Sequence, residues 1–177
     1  MTFSETRIRG VYLIETSPRV DERGTFTRLW CEDQFRKNGL DVRFVQFNHS
    51  LTLRRGTVRG LHYQVPPYSE CKLVRCIRGE LYDVAVDVRP ESETYKQWIG
   101  VELCADEPKL VFIPEGVAHG FQVLEDRTEI VYSTSAPHDR EAERGIRWDD
   151  PCFCVEWPLS SEVIVSEKDQ SWADYRP

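Results

Sequence analysis

A chain of 177 residues with 40% hydrophobic and 30% charged residues is sized for one well-buried core, so a single domain over residues 1–177 is expected. A formal charge of -7 and a pI near 5.2 exclude a broad nucleic-acid surface, which needs an excess of Lys and Arg. The opening MTFSETRIRGVYLIE lacks the uninterrupted apolar core of a signal peptide, and no stretch reaches the length of a membrane span, so a cytoplasmic protein without membrane partners is expected.

The first helical signal is CEDQFRKNG, which begins acidic, ends basic and closes on Gly39. In KLVRCIRGELYDVAVDVR, Tyr82, Val84, Val86 and Val88 alternate with Asp83, Ala85 and Asp87 beyond an Arg-Gly turn. That period of two with a glycine-marked turn reads as a β-hairpin with one polar face. QWIGVELC, KLVFIP, GFQVLE, TEIVYSTS and CFCVEW follow as short runs between turn signals, the pattern of an antiparallel sandwich or barrel. As a strand, the last run would aim Cys152 and Cys154 to one face. SEKDQSWADY supplies a final helical turn with Ser166 as its N-cap. The six cysteines form no C-x-x-C pair, which points to free thiols rather than a zinc or redox motif.

Positive charge gathers at Arg54, Arg55 and Arg59 and again at Lys72, Arg75 and Arg78, marking either a local anion pocket or a solvated face. Among the four histidines, His62 in RGTVRGLHYQ has three readings: metal ligand, proton carrier or packed strand residue. FIPEGVAHGF places Pro114, Gly116 and His119 in a P-x-G-x-x-H arrangement that resembles the second motif of the cupin superfamily, an all-β double-stranded β-helix or jelly roll. The first cupin motif holds a metal with H-x-H and a later glutamate; here it reads His62-Tyr63-Gln64, with Lys72 near the place of the acid. A site short of about three ligands, with an ammonium beside it, suits a metal-free barrel with a few short peripheral helices, and leaves His62 available for acid-base work.

FNHSLTLRRGTVRGLHYQ, CKLVRCIRGELYDVAVDVR, FIPEGVAHGF, IVYSTS, ERGIRWDDP and VSEKDQ together resemble the dTDP-4-dehydrorhamnose 3,5-epimerase family over essentially the whole chain. The resemblance implies an isomerase whose substrate is a nucleoside-diphosphate 4-keto-6-deoxyhexose. The carbonyl acidifies the neighbouring carbon-bound protons, so a base, an acid and a cation for the enolate suffice and no cofactor is needed. It implies His62 as the base, Asp169 as its partner, Tyr132 as the acid and Lys72 as the cation at the developing oxyanion. Asp83 and His119 are expected in the same cavity, with Asp83 as the carboxylate near Lys72. The segment DERGTF implies a homodimer in which residues of about 1–50 cross the interface, Arg23 meeting phosphate and Phe26 stacking on the base of the neighbouring subunit's ligand. Gln46, Asn48, Arg59 and Lys168 resemble further substrate contacts; arginine's fork suits a diphosphate.

Three positions depart from the family pattern. Arg28 stands where a glutamate faces the thymine, His138 where a second tyrosine approaches the sugar, and Phe47 where an asparagine-like or acidic residue follows Gln46. Arg28 leaves the nucleobase open, and His138 keeps a single-centre epimerase, or one acting on a GDP-linked 4-keto-heptose, as rivals within the class. A metal-dependent cupin oxygenase and a non-catalytic sugar-nucleotide binding module are the rivals outside it.

Overall fold

Runs rich in Val, Ile, Leu and aromatic residues, broken by Gly and Pro, favour short strands over helices, and the computed structural model, which describes residues 1–176, has that character. The N-terminal part holds β1 (Thr2–Glu5), β2 (Tyr12–Glu15), the small pair β3 (Arg19–Asp21) and β4 (Gly24–Phe26), and helix α1 (Glu32–Lys37). Eight longer strands follow: β5 (Gln46–Thr52), β6 (Thr57–Gln64), β7 (Lys72–Arg78), β8 (Glu80–Asp87), β9 (Trp98–Cys104), β10 (Lys109–Ile113), β11 (Val117–Val123) and β12 (Thr128–Thr134). Short β13 (Glu143–Gly145), β14 (Ile164–Val165) and helix α2 (Glu167–Gln170) complete the described residues.

The strands form two large sheets, β1-β2-β10-β7-β12-β5 and β13-β6-β11-β8-β9, with β14 joining β6, while β3 and β4 pair only with each other. This is an all-β jelly roll of the cupin type, as expected. Between the sheets lie Val74, Cys76, Val111, Ile113 and Ile130 from one and Leu81, Ala85, Leu103, Val117 and Val123 from the other. Truncating a fully buried leucine such as Leu81 to alanine would cost about 2–5 kcal/mol. Sheet exteriors are covered as well. Phe35 of α1 packs with Leu73, Leu110 and Phe112 on one, and Phe153, Trp157 and Ile146 pack with Val84 and Val86 on the other.

Three expectations need correcting. The strands on either side of Gly79 are not a hairpin: β7 pairs with β10 and β12, whereas β8 pairs with β11 and β9, so the Arg-Gly turn carries the chain from one sheet to the other. A tight turn specifies a reversal, and which strands then pair is decided by burial of the faces. The polar face of β8 is turned inward accordingly, with Asp83 and Asp87 buried, because the face bearing Val84 and Val86 is covered by the chain beyond β13. CFCVEW is not a strand. Asp150 caps a turn through Cys152 N–H (2.8 Å), Cys154 adopts a left-handed φ of 49°, and only Cys152 of the two cysteines packs against the core. Both expected helices form, α1 ending before Gly39 and α2 capped by Ser166. All six cysteines are free.

Candidate active site

A polar cavity opens between the two sheets, walled by β6 and β11 on one side and by β5, β7 and β12 on the other. It has two adjoining lobes. The first, of about 340 Å³, includes Arg59, His62, Lys72, His119, Tyr132 and Asp169. The second, of about 370 Å³, shares His62, Lys72 and Tyr132 and adds Gln46, Glu70 and His138.

An irregularity in β6 aims two side chains at once. Strict alternation would send Arg59 and His62 to opposite faces, yet both line the cavity. Opposite β11, His62 pairs with His119 and Arg59 with Phe121, so β6 carries one residue more than its partner at this point, the signature of a bulge. Gly60 sits in it with φ +115°, and a Cβ there would lie 2.5 Å from Gly120 Cα, so no side chain fits.

His62 Nε2 is 2.6 Å from Asp169 Oδ1, leaving the other ring nitrogen for the cavity. Asp169 is delivered by α2: its backbone N–H donates to Ser166 Oγ at 3.1 Å, and its second carboxylate oxygen accepts the Gly60 N–H at 3.2 Å. It therefore serves both the helix start and the histidine. Burial alone would push the Asp169 carboxyl up, but the hydrogen bond and charge of His62, with the Gly60 N–H, outweigh burial and hold it below the ordinary carboxylate range. Tyr132 comes from β12, on the opposite wall, next to Asn48 and Val74. Burial, reinforced by the Glu70 carboxylate, pushes its phenol above the ordinary value, while Arg59 acts in the opposite sense.

The expected partner of Lys72 is corrected. Its ammonium pairs with Glu70 Oε1 at 2.5 Å, each side chain 10% exposed, whereas Asp83 accepts from His119 Nε2 at 2.8 Å and stands behind that ring. Asp83 is thus placed to orient His119 and is not among the residues lining the cavity. Glu70 was not anticipated from sequence. Its signal was there, since positions 70 and 72 share one face of an extended segment. Glu143, in the second lobe, was also missed.

Gln46 lies in the second lobe and donates to Asn48 Oδ1 at 2.9 Å, while Asn48 Nδ2 is buried without a hydrogen-bond partner among the described residues. His138 joins this lobe, its backbone N–H donating to Gln46 at 3.3 Å. Arg59 is braced by Thr52 Oγ1 at 2.9 Å. Lys168 stands at the rim, paired with Glu143 at 2.6 Å. Phe47 is 71% exposed on the outward face of β5.

Within one chain, Arg23, Phe26 and Arg28 are not brought to the cavity. Arg23 pairs with Asp21 at 2.6 Å on the exposed β3–β4 arm, Phe26 is 63% exposed, and Arg28 lines a separate hollow with Met1 and Thr16. Among the described residues no three His, Cys, Asp or Glu side chains converge as a metal-binding group. Each cavity histidine is engaged by its own carboxylate instead.

A carboxylate-backed imidazole on one wall, a protonated phenol on the other and an ammonium between them can remove a proton from carbon, hold the resulting enolate and return a proton from the far side. The family model described as dTDP-4-dehydrorhamnose 3,5-epimerase matches residues 5–176. The chain belongs to that family. The dTDP-4-dehydrorhamnose 3,5-epimerase of Sinorhizobium fredii is 46% identical over 171 residues, 97% of this chain and 88% of that protein. The crystal structure of the enzyme of that name from Elizabethkingia anophelis superposes with a TM-score of 0.95 at 35% identity, covering 99% of this chain and 96% of that one. The Legionella pneumophila dTDP-6-deoxy-D-glucose-3,5-epimerase, solved with dTDP-4-keto-L-rhamnose, superposes with a TM-score of 0.89 at 37% identity, covering 95% and 89%. Like its relatives, this chain is an isomerase of the epimerase class, and neither the oxygenase nor the binding-module reading is favoured.

Proposed function

We propose that this epimerase inverts carbons 3 and 5 of a dTDP-linked 4-keto-6-deoxyhexose, converting the 4-keto-6-deoxyglucose form to 4-keto-rhamnose. The observation that carries the reading is the placement of His62 and Tyr132 in one cavity on strands of opposing sheets, with Asp169 2.6 Å behind the imidazole. In the mechanism the open ring nitrogen of His62 takes the carbon-bound proton, Asp169 stabilises the imidazolium, Lys72 faces the charge growing on the carbonyl oxygen, and Tyr132 donates a proton to the opposite face. Arg59 and the partnerless Asn48 Nδ2 suit the diphosphate side of the ligand.

The test is to run the reaction in deuterated water with dTDP-4-keto-6-deoxyglucose and count exchanged positions by NMR. Deuterium at both carbons is expected, none with His62→Asn, and exchange with impaired inversion for Tyr132→Phe. Label at one carbon only removes the double inversion, and label persisting in His62→Asn removes the base.

A homodimer completing the site is part of the same reading. What supports it is the arm: β3 and β4 pair only with each other and leave Val20 and Phe26 74% and 63% exposed. Phe26→Ala is expected to raise KM about tenfold, as loss of one stacking partner does, with kcat nearly unchanged. An unaltered KM, or a monomer by analytical ultracentrifugation, sinks the arm's role. A cytoplasmic setting suits the free thiols and the lack, among the described residues, of any helix long and apolar enough to cross a membrane.

A further inference from the structure

Glu70 is the one cavity carboxylate that the acid-base scheme leaves without a task. It lies in the loop that enters β7, and that loop is tied down: Cys71 N–H donates to Ser135 Oγ at 2.7 Å and Ser135 N–H to Cys71 O at 3.1 Å, joining it to the end of β12. Glu70 therefore shares its anchorage with the strand that carries Tyr132. Its carboxylate lies 2.5 Å from the Lys72 ammonium, both side chains are nine-tenths buried, and both line the same lobe as Tyr132 and His62.

We propose that Glu70 is a positioning residue of this site, its carboxylate holding the Lys72 ammonium in place and setting the charge balance around the Tyr132 hydroxyl. The proposal rests on the reading of Tyr132 as the acid. An unpaired ammonium on a flexible stem would sample many rotamers, and a carboxylate anchored on the same strand face reduces them. A negative charge beside a buried phenol disfavours the phenolate, so the group stays able to donate a proton. Other charged or titratable groups around Tyr132 are Arg59 and His62 from β6, Lys72 from β7, His119 from β11, and His138 and Glu143 beyond β12, with Asp169 behind His62. Of these, Arg59 opposes Glu70 by favouring the phenolate. The phenol is thus set between a fixed anion and a fixed cation.

Glu70→Gln removes the charge and keeps the shape. With tyrosine 13C-labelled at the hydroxyl-bearing carbon, the Tyr132 signal is assigned by its loss in Tyr132→Phe and titrated without substrate. The midpoint in Glu70→Gln is expected to fall by about one pH unit. The alkaline limb of kcat/KM for dTDP-4-keto-6-deoxyglucose should move down with it, and Glu70→Asp should restore both. An unchanged midpoint overturns the proposal whatever happens to activity, as does a loss of activity equal at every pH. A midpoint that moves in a protein that exchanges no substrate protons upholds the charge role and rejects the epimerase reading instead.

Discussion

Asp87, at the end of β8, and Asp169, in α2, are both buried carboxylates held in their ionised form, yet they keep different company. Asp87 accepts from the Arg89 backbone N–H at 3.0 Å, Arg89 Nε and a terminal guanidinium nitrogen at 2.8 and 2.7 Å, and the Ser92 and Thr94 hydroxyls, each at 2.6 Å. Its partners close a loop among themselves, and none of them faces the cavity. Asp169 accepts from Gly60 and His62, and the His62 side chain remains 31% exposed, on the cavity. A buried acid is thus not in itself a sign of chemistry. What separates the two is a titratable partner with one face left open.

The largest effect should come from that open face. His62→Asn is expected to lower kcat/KM by at least the roughly 10²–10⁴-fold typical of a lost general base, with thermal unfolding nearly unchanged. Circular dichroism and steady-state kinetics on the same preparation check both halves, and a variant retaining a tenth of the activity would break the contrast. Next is the support beneath Asp169. Gly145 pairs with His62 across β13 and β6, and a Cβ at Gly145 would lie 2.0 Å from Trp172 Cε2. Gly145→Ala must therefore displace the indole three residues beyond Asp169 and shift α2 with it. A displacement of about 1 Å at the dyad costs on the order of 10²-fold in kcat. Kinetics indistinguishable from the unaltered protein would show that α2 holds Asp169 without Trp172.

How much was legible beforehand follows the range of the forces involved. The ends of α1 and α2 and most strands are written in local patterns: charge order and Gly39, the Ser166 cap, and alternation along β8, β9, β10 and β12. Pairing across Gly79 is not local, since β7 and β8 look like a hairpin until the outer cover from Ile146, Phe153 and Trp157 is known. Positions 62, 132 and 169 share no spacing rule, and only resemblance to a family joined them before the folded chain did. Glu70 escaped because it precedes its strand, in a stretch whose composition reads as loop. The bulge was foreshadowed by Gly60, a lone glycine inside a strand pattern, but which side chain it re-aims depends on the register with β11.

Asp87 supplies the smallest expected change in activity and a measurable one in stability. Burial would raise its carboxyl, but the hydrogen bonds from Arg89, Ser92 and Thr94 overcome burial and bring it from 3.8 down to about 2. A depressed value in the folded state means that the unfolded chain binds the proton more readily. The stabilisation is therefore complete above the unfolded value and is lost as pH falls from about 4 toward 2, amounting to on the order of 2 kcal/mol. Asp87→Asn should lose this contribution at neutral pH, with kcat/KM within about twofold of the unaltered enzyme while folded, because the loop it ties is remote from the proton path. Urea midpoints measured from neutral pH down to about pH 3 should converge for the two proteins as the acid is titrated. Midpoints that stay a constant distance apart would mean that the loop is held by the shape of residue 87 rather than its charge, and a fall in kcat at neutral pH would erase the distinction between the two carboxylates.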